Sequence, residues 1–272
     1  ILLTASEDFE EGDEETDYLV ENLIPKDSMI LLTAQPKVGK TTYVLCLVKS
    51  LIEGTDFLGS EVEQTDVLYL TQQPLPSFKS EYVFEHGLEN SEGLHYASES
   101  ATFDFDLKEL MKRVAVAANE TGAGFLVIDT FTSFTGLEAD EENSSGEVKA
   151  ALQTIRQCCS AVGLTVIVVH HNRKGGGSIT ESSRGSNVFS AEPDVLFGLR
   201  KDSGQNNARK LLSTGRFSEI PEYQRIALQE EGYKTLGSSS GGRDEVTKVI
   251  SDMLPSVKAQ AVKKKEMLDI LE

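Results

Sequence analysis

Met29-Ile30-Leu31-Leu32-Thr33-Ala34-Gln35-Pro36-Lys37-Val38-Gly39-Lys40-Thr41-Thr42 joins an apolar run to a polar loop, and Tyr43, Val44, Leu47 and Val48 follow at helical spacing. The order is strand, loop, helix. Backbone N–H groups in such a loop, together with the N-terminus of the helix, form a cradle for phosphate oxygens. Gly39 lets the backbone approach closely, Lys40 reaches terminal phosphates and the Thr41 hydroxyl offers a ligand to Mg²⁺. Residues Gln35, Pro36, Lys37, Val38, Gly39, Lys40, Thr41 and Thr42 are therefore expected to bind a nucleotide. Ala34 stands where the usual pattern has its first glycine, which matters only if that residue needs a positive φ.

Working outward, a metal site of this kind needs a carboxylate at the end of another central strand. Phe125-Leu126-Val127-Ile128-Asp129 supplies one, so Asp129 and Thr41 are the expected metal pair. Met29–Ala34, Val67–Thr71, Phe125–Asp129 and residues 165–170 are near-continuous apolar runs suited to burial on both faces of a parallel sheet. Leu107, Leu110, Met111, Val114 and Ala118 recur at helical spacing, as do Val148, Ala151, Leu152, Ile155, Cys159 and Val162. The fold class read from this alternation is α/β, a mainly parallel sheet flanked by helices. Residues 195–199, 210–213 and 224–228 are shorter β-like runs between polar turns and predict a late antiparallel extension.

A chain of 272 residues with a formal net charge of −18 cannot coat nucleic acid with its whole surface. Any nucleic-acid contact must be local. Much of the acidity lies in residues 7–15 and 138–142, read as a solvated leader and a surface loop. No apolar run approaches the roughly 20 residues needed to cross a bilayer. Nothing at the start has the basic and apolar regions of a signal peptide, so a cytoplasmic location is expected. Cys46, Cys158 and Cys159 are odd in number and lack zinc-ligand spacing, which predicts reduced packing thiols.

The residues quoted above, with Val67-Leu68-Tyr69-Leu70-Thr71-Gln72-Gln73, Val169-His170-His171-Asn172-Arg173-Lys174 and Arg184-Gly185-Ser186, resemble in their order the RecA-like hexameric P-loop ATPases. The likeness is greatest to the branch of RepA-type replicative helicases and their AAA-domain relatives. That resemblance implies ATP and Mg²⁺ as cofactors, a homo-oligomeric ring and action on DNA. It places a catalytic glutamate at the end of the second strand, where this chain has Gln72. A glutamine orients water but cannot take its proton. Gln72 therefore marks either a weakly hydrolysing member or a replaced glutamate.

The same resemblance implies that His171 senses the γ-phosphate and passes its state to the loop after it. Arg173, Lys174 and Arg184 of that glycine-rich loop would touch single-stranded DNA from the pore of the ring. It also implies an arginine from a neighbouring copy at the γ-phosphate, for which Arg216 fits best and Arg184 is second.

The domain reading is an acidic leader over residues 1–16, an ATPase core over 17–236, a flexible linker over 237–242 and C-terminal helices over 243–272. These last resemble a winged helix-turn-helix without its recognition helix. The expected function is an oligomeric Mg²⁺-ATP-dependent motor on DNA. The alternative is an ATP-binding regulatory or scaffold protein that oligomerises without moving along DNA.

Overall fold

The structure is a computed structural model that describes residues 16–137, 145–171, 188–202, 204–230 and 232–239. The four apolar runs form β3 (Met29–Ala34), β4 (Val67–Thr71), β6 (Phe125–Asp129) and β7 (Thr165–His171), preceded by a small hairpin of β1 (Tyr18–Val20) and β2 (Ile24–Pro25). With β5 (Leu94–Ser98), β8 (Val195–Lys201), β9 (Ala208–Gly215), β10 (Tyr223–Gln229) and β11 (Gly232–Ser239) they make a nine-stranded sheet in the order β11-β10-β9-β8-β3-β7-β6-β4-β5. Strands β8, β3, β7, β6, β4 and β5 pair in parallel, and β9, β10 and β11 continue the sheet antiparallel. The α/β architecture and a late antiparallel extension are as the sequence predicts, except that residues 195–199, read as part of that extension, lie in β8, which pairs in parallel with β3 and is antiparallel only to β9.

Every residue of β3, β4 and β6 is buried, because helices cover both faces. Side chains alternate between two cores. Ile30, Leu32, Tyr69 and Val127 pack with α1 (Lys40–Glu53) on one face. Met29, Leu31, Leu126 and Ile128 pack on the other face with α2 (Leu107–Thr121) and α3 (Ser145–Ser160). The buried stripes, Leu110, Met111, Val114 and Ala118 on α2 and Val148, Ala151, Leu152, Ile155 and Cys159 on α3, are those read from the helical spacing. Asp106 caps α2 by accepting from the Glu109 N–H at 2.8 Å, and Gly122 ends it at φ 75°. The three cysteines are free thiols.

Two elements depart from the sequence reading. Strand β5 is half-exposed, because it lies at the sheet edge and carries His95 and Tyr96 among its five residues. Gly237, Ser238 and Ser239, read as the start of a linker, are paired with Arg225, Gln224 and Tyr223 as the end of β11. An edge strand needs only one neighbour and one buried face, so a glycine- and serine-rich composition does not prevent it. The remainder of that linker, the C-terminal helices and nearly all of the acidic leader lie outside the described residues. No described helix is long and apolar enough to cross a membrane.

Candidate nucleotide-binding site

Parallel pairing brings the C-terminal ends of the central strands to one edge of the sheet. Ala34 of β3 is in register with His171 of β7, Asp129 of β6 with Val169, and Thr71 of β4 with Asp129. The loop between β3 and α1 lies over this edge. Ala34 ends its strand without a positive φ, so an alanine there costs nothing; the left-handed residues are Lys37 at φ 63° and Gly39 at φ 105°. Gly39 is the position where glycine is required. A Cβ there would lie 3.2 Å from the Tyr233 hydroxyl of β11 in a conformation that disfavours side chains.

Lys40 is 5% exposed. Its ammonium donates to the carbonyls of Ala34 at 3.0 Å and Gln35 at 3.3 Å, and it lies 2.8 Å from Nδ1 of His171. As an ammonium it has no lone pair, so Nδ1 is the acceptor and His171 is neutral, with its proton on Nε2. Burial pulls the Lys40 pKa down to about 8, partly opposed by the Asp129 carboxylate. Burial, then the Lys40 charge, holds the His171 imidazole below its ordinary range. Both shifts reflect a cationic centre held out of water with little counter-charge, which is what a polyanionic ligand would supply.

Thr41, one residue on, donates its hydroxyl to Oδ2 of Asp129 at 3.1 Å, and the buried Tyr69 hydroxyl donates to the same oxygen at 3.0 Å. Asp129 is 5% exposed and burial raises its pKa, while the Tyr69 and Thr41 bonds and the Lys40 charge pull it back. A hydroxyl and a carboxylate in contact are hard oxygen donors suited to Mg²⁺, which takes one or two protein ligands and completes its shell from water and phosphate. Among the described residues no three His, Cys, Asp or Glu side chains converge as an independent metal site. Thr41 and Asp129 thus fit a magnesium ion that arrives with a nucleotide.

Residues 2–177, more than half of the chain, match the family described as AAA domain. The chain belongs to the AAA-domain family. An ATPase-type function and nucleotide binding go with that membership. No curated protein matches it.

Other residues of this AAA-domain protein expected at the site divide into two groups. Gln72 is at the edge beside Asp129: its N–H donates to the Asp129 carbonyl at 2.7 Å, and its amide oxygen accepts from the hydroxyls of Thr130 at 3.2 Å and Ser133 at 3.0 Å. His171 is there too, against Lys40. Arg216 is not. It follows Gly215, whose strand partner Val195 starts β8, and so lies at the opposite end of the sheet from the phosphate loop. There Arg216 pairs with Asp194 at 3.0 Å, and Asp194 also holds Arg156 at 2.7 Å and the Met29 N–H at 2.9 Å. A Cβ on Gly215 would collide with the Asp194 carbonyl, so the chain can turn toward this cluster only through glycine. Within its own chain Arg216 braces the sheet. Arg173, Lys174 and Arg184 lie outside the described residues.

Three residues of the neighbourhood carry no motif that announces them. Tyr69 reads as an ordinary core aromatic in an apolar strand. Arg209 and Tyr233 lie beyond the matched span, on β9 and β11, and reach the phosphate loop from far along the chain. Tyr69→Phe removes one hydroxyl and leaves the packing on Phe78 intact. Outer-shell partners of this kind are worth about 10- to 100-fold in metal affinity. The expected result is a Mg²⁺ requirement for ATP binding raised by about that factor, with Mg²⁺-free binding unchanged, as read by titrating Mg²⁺ into protein and a fluorescent ATP analogue.

Proposed function

We propose that this chain is an oligomeric Mg²⁺-ATP-dependent ATPase that acts on DNA, of the replicative-helicase type. The observation that carries the reading is the contact between Lys40 and His171. A triphosphate would compete with His171 for the Lys40 ammonium, so the state of the nucleotide is exchanged for the state of the last residue before the segment 172–187. That segment holds Arg173, Lys174 and Arg184, the cations assigned to single-stranded DNA.

In this reading the backbone N–H groups of residues 35–42 and Lys40 bind and orient the phosphates. Thr41 and Asp129 hold Mg²⁺, which neutralises charge on the phosphate oxygens when bound. Gln72 orients the attacking water through an amide anchored on Thr130 and Ser133, without accepting its proton. Arg216, tied to Asp194 within its own chain, would have to leave that pair to serve a neighbouring copy in a ring.

Replacing Arg173 and Lys174 together with alanine should weaken single-stranded DNA binding and reduce the slope of log affinity against log salt by about 1.4, the value for two phosphate contacts on a single strand. Anisotropy of a labelled oligonucleotide across a salt series measures both. An unchanged affinity and slope would assign DNA contact elsewhere.

A second reading, an ATP-binding regulatory or scaffold protein that does not translocate, is favoured by Gln72. Tight Mg²⁺-ATP binding with no response to DNA in either the parent chain or Gln72→Glu would select it.

A further inference from the structure

Arg209 is placed as an anchor of the phosphate loop. It is the second residue of β9, paired with Lys201 of β8 and Ile226 of β10. Its side chain leaves the sheet to reach Val38, 171 residues earlier, and Nε donates to the Val38 carbonyl at 2.6 Å. Nη1 donates to the carbonyls of Asn206 and Ala208, each at 2.8 Å. Among the described residues it forms no ion pair with a carboxylate, and these three hydrogen bonds all go to backbone oxygens.

The geometry points to Arg209 as a positioning residue for nucleotide binding, which sets the direction in which the Gly39 N–H points. The peptide unit joining Val38 to Gly39 is planar and trans, so its C=O and N–H point in opposite directions. Fixing the carbonyl toward β9 turns the N–H away from β9. In a phosphate cradle the N–H groups must face the ligand, and Gly39 immediately precedes Lys40 at the head of α1. The loop needs such a constraint, because Lys37 and Gly39 both have positive φ and Gly39 by itself could adopt several conformations. Tyr233 closes the same side, its hydroxyl packed against Gly39 and its ring 5.9 Å from that of Tyr43 on α1. The antiparallel extension, outside the span matched to the AAA domain, thereby becomes the rear wall of the nucleotide site.

The inference rests on the proposed reading that residues 35–42 bind ATP, and two measurements separate the two. The first uses the full chain without nucleotide. The Gly39 amide resonance, whose nitrogen shares its peptide unit with the Val38 carbonyl that Arg209 holds, should shift in Arg209→Ala relative to the parent chain. Amides of β3 and β6 should not change. The second is binding of a fluorescent ATP analogue with Mg²⁺, expected to weaken by about 10- to 100-fold in Arg209→Ala. Arg209→Lys keeps the charge and loses the planar fork. It should bind nearly as weakly as Arg209→Ala if direction is what matters, and it remains informative should the alanine variant not fold. An unmoved Gly39 resonance, or nucleotide affinity within twofold of the parent chain in a folded variant, overturns the role of Arg209. Failure of the parent chain itself to bind the analogue overturns the ATP reading, while the Gly39 resonance still decides whether Arg209 holds the loop.

Discussion

Lys40→Ala is expected to weaken Mg²⁺-ATP binding by about 100-fold or more, the loss of at least one hydrogen bond to charged phosphate together with the attraction of a poorly solvated cation. The Lys40 ammonium is almost fully buried and has no carboxylate within bonding distance; its partners are two loop carbonyls and one imidazole nitrogen. Burial at that point brings its pKa down to about 8, so the charge is held at a cost that a triphosphate would relieve. The same reasoning fixes what should not change. Removing the ammonium ends the cost of burying it and also takes its attraction from the buried Asp129 carboxylate, which keeps its Tyr69 and Thr41 hydrogen bonds; the two effects oppose each other, so thermal unfolding without nucleotide should move by no more than a few degrees. Calorimetric titration and a thermal scan of the same samples test both parts. Affinity within threefold of the natural chain would mean that the loop does not grip a triphosphate.

Gln72→Glu is expected to raise ATP turnover by about 100-fold, the lower end of what a positioned general base contributes. The side-chain oxygen of Gln72 accepts hydroxyl bonds from Thr130 and Ser133, and a glutamate oxygen accepts the same bonds. Its backbone N–H, bonded to the Asp129 carbonyl, is untouched by the substitution. The exchange therefore preserves the anchor and changes only the ability to take a proton from water. Steady-state phosphate release compared at saturating ATP measures it. Equal rates would remove Gln72 from the catalytic machinery.

The first half of the chain is legible because its signals are short-range. A six-residue strand with five apolar residues, a Gly-Lys-Thr loop and a helical stripe sit side by side in sequence, and each has one structural reading. Asp129 is legible once that loop is seen, since a sheet carrying one half of the site must carry the other at a neighbouring strand end. Tyr69 is hidden by its surroundings. Its relation to Asp129 depends on β4 pairing with β6 so that Thr71 opposes Asp129, which places Tyr69, two residues earlier, on the same face.

Arg209 and Tyr233 are hidden by distance along the chain. They meet the loop only because β8 pairs with β3 and the meander that follows folds back over α1. Arg216 is the converse case: its strand runs antiparallel to β8 and delivers it to the end of the sheet away from its own phosphate loop, so a role at a γ-phosphate requires a neighbouring copy, as the resemblance implies. Strand β5 is missed because an exposed edge needs no apolar run.

Phosphate release by the Gln72→Glu protein, with and without single-stranded DNA and with Lys40→Ala introduced into that protein as the blank, tests the account most directly. A rate that depends on Lys40 and rises several-fold with DNA is the predicted result. A rate that depends on Lys40 but ignores DNA would contradict the motor and leave an ATP-binding regulator, and a rate indifferent to Lys40 would contradict the site itself.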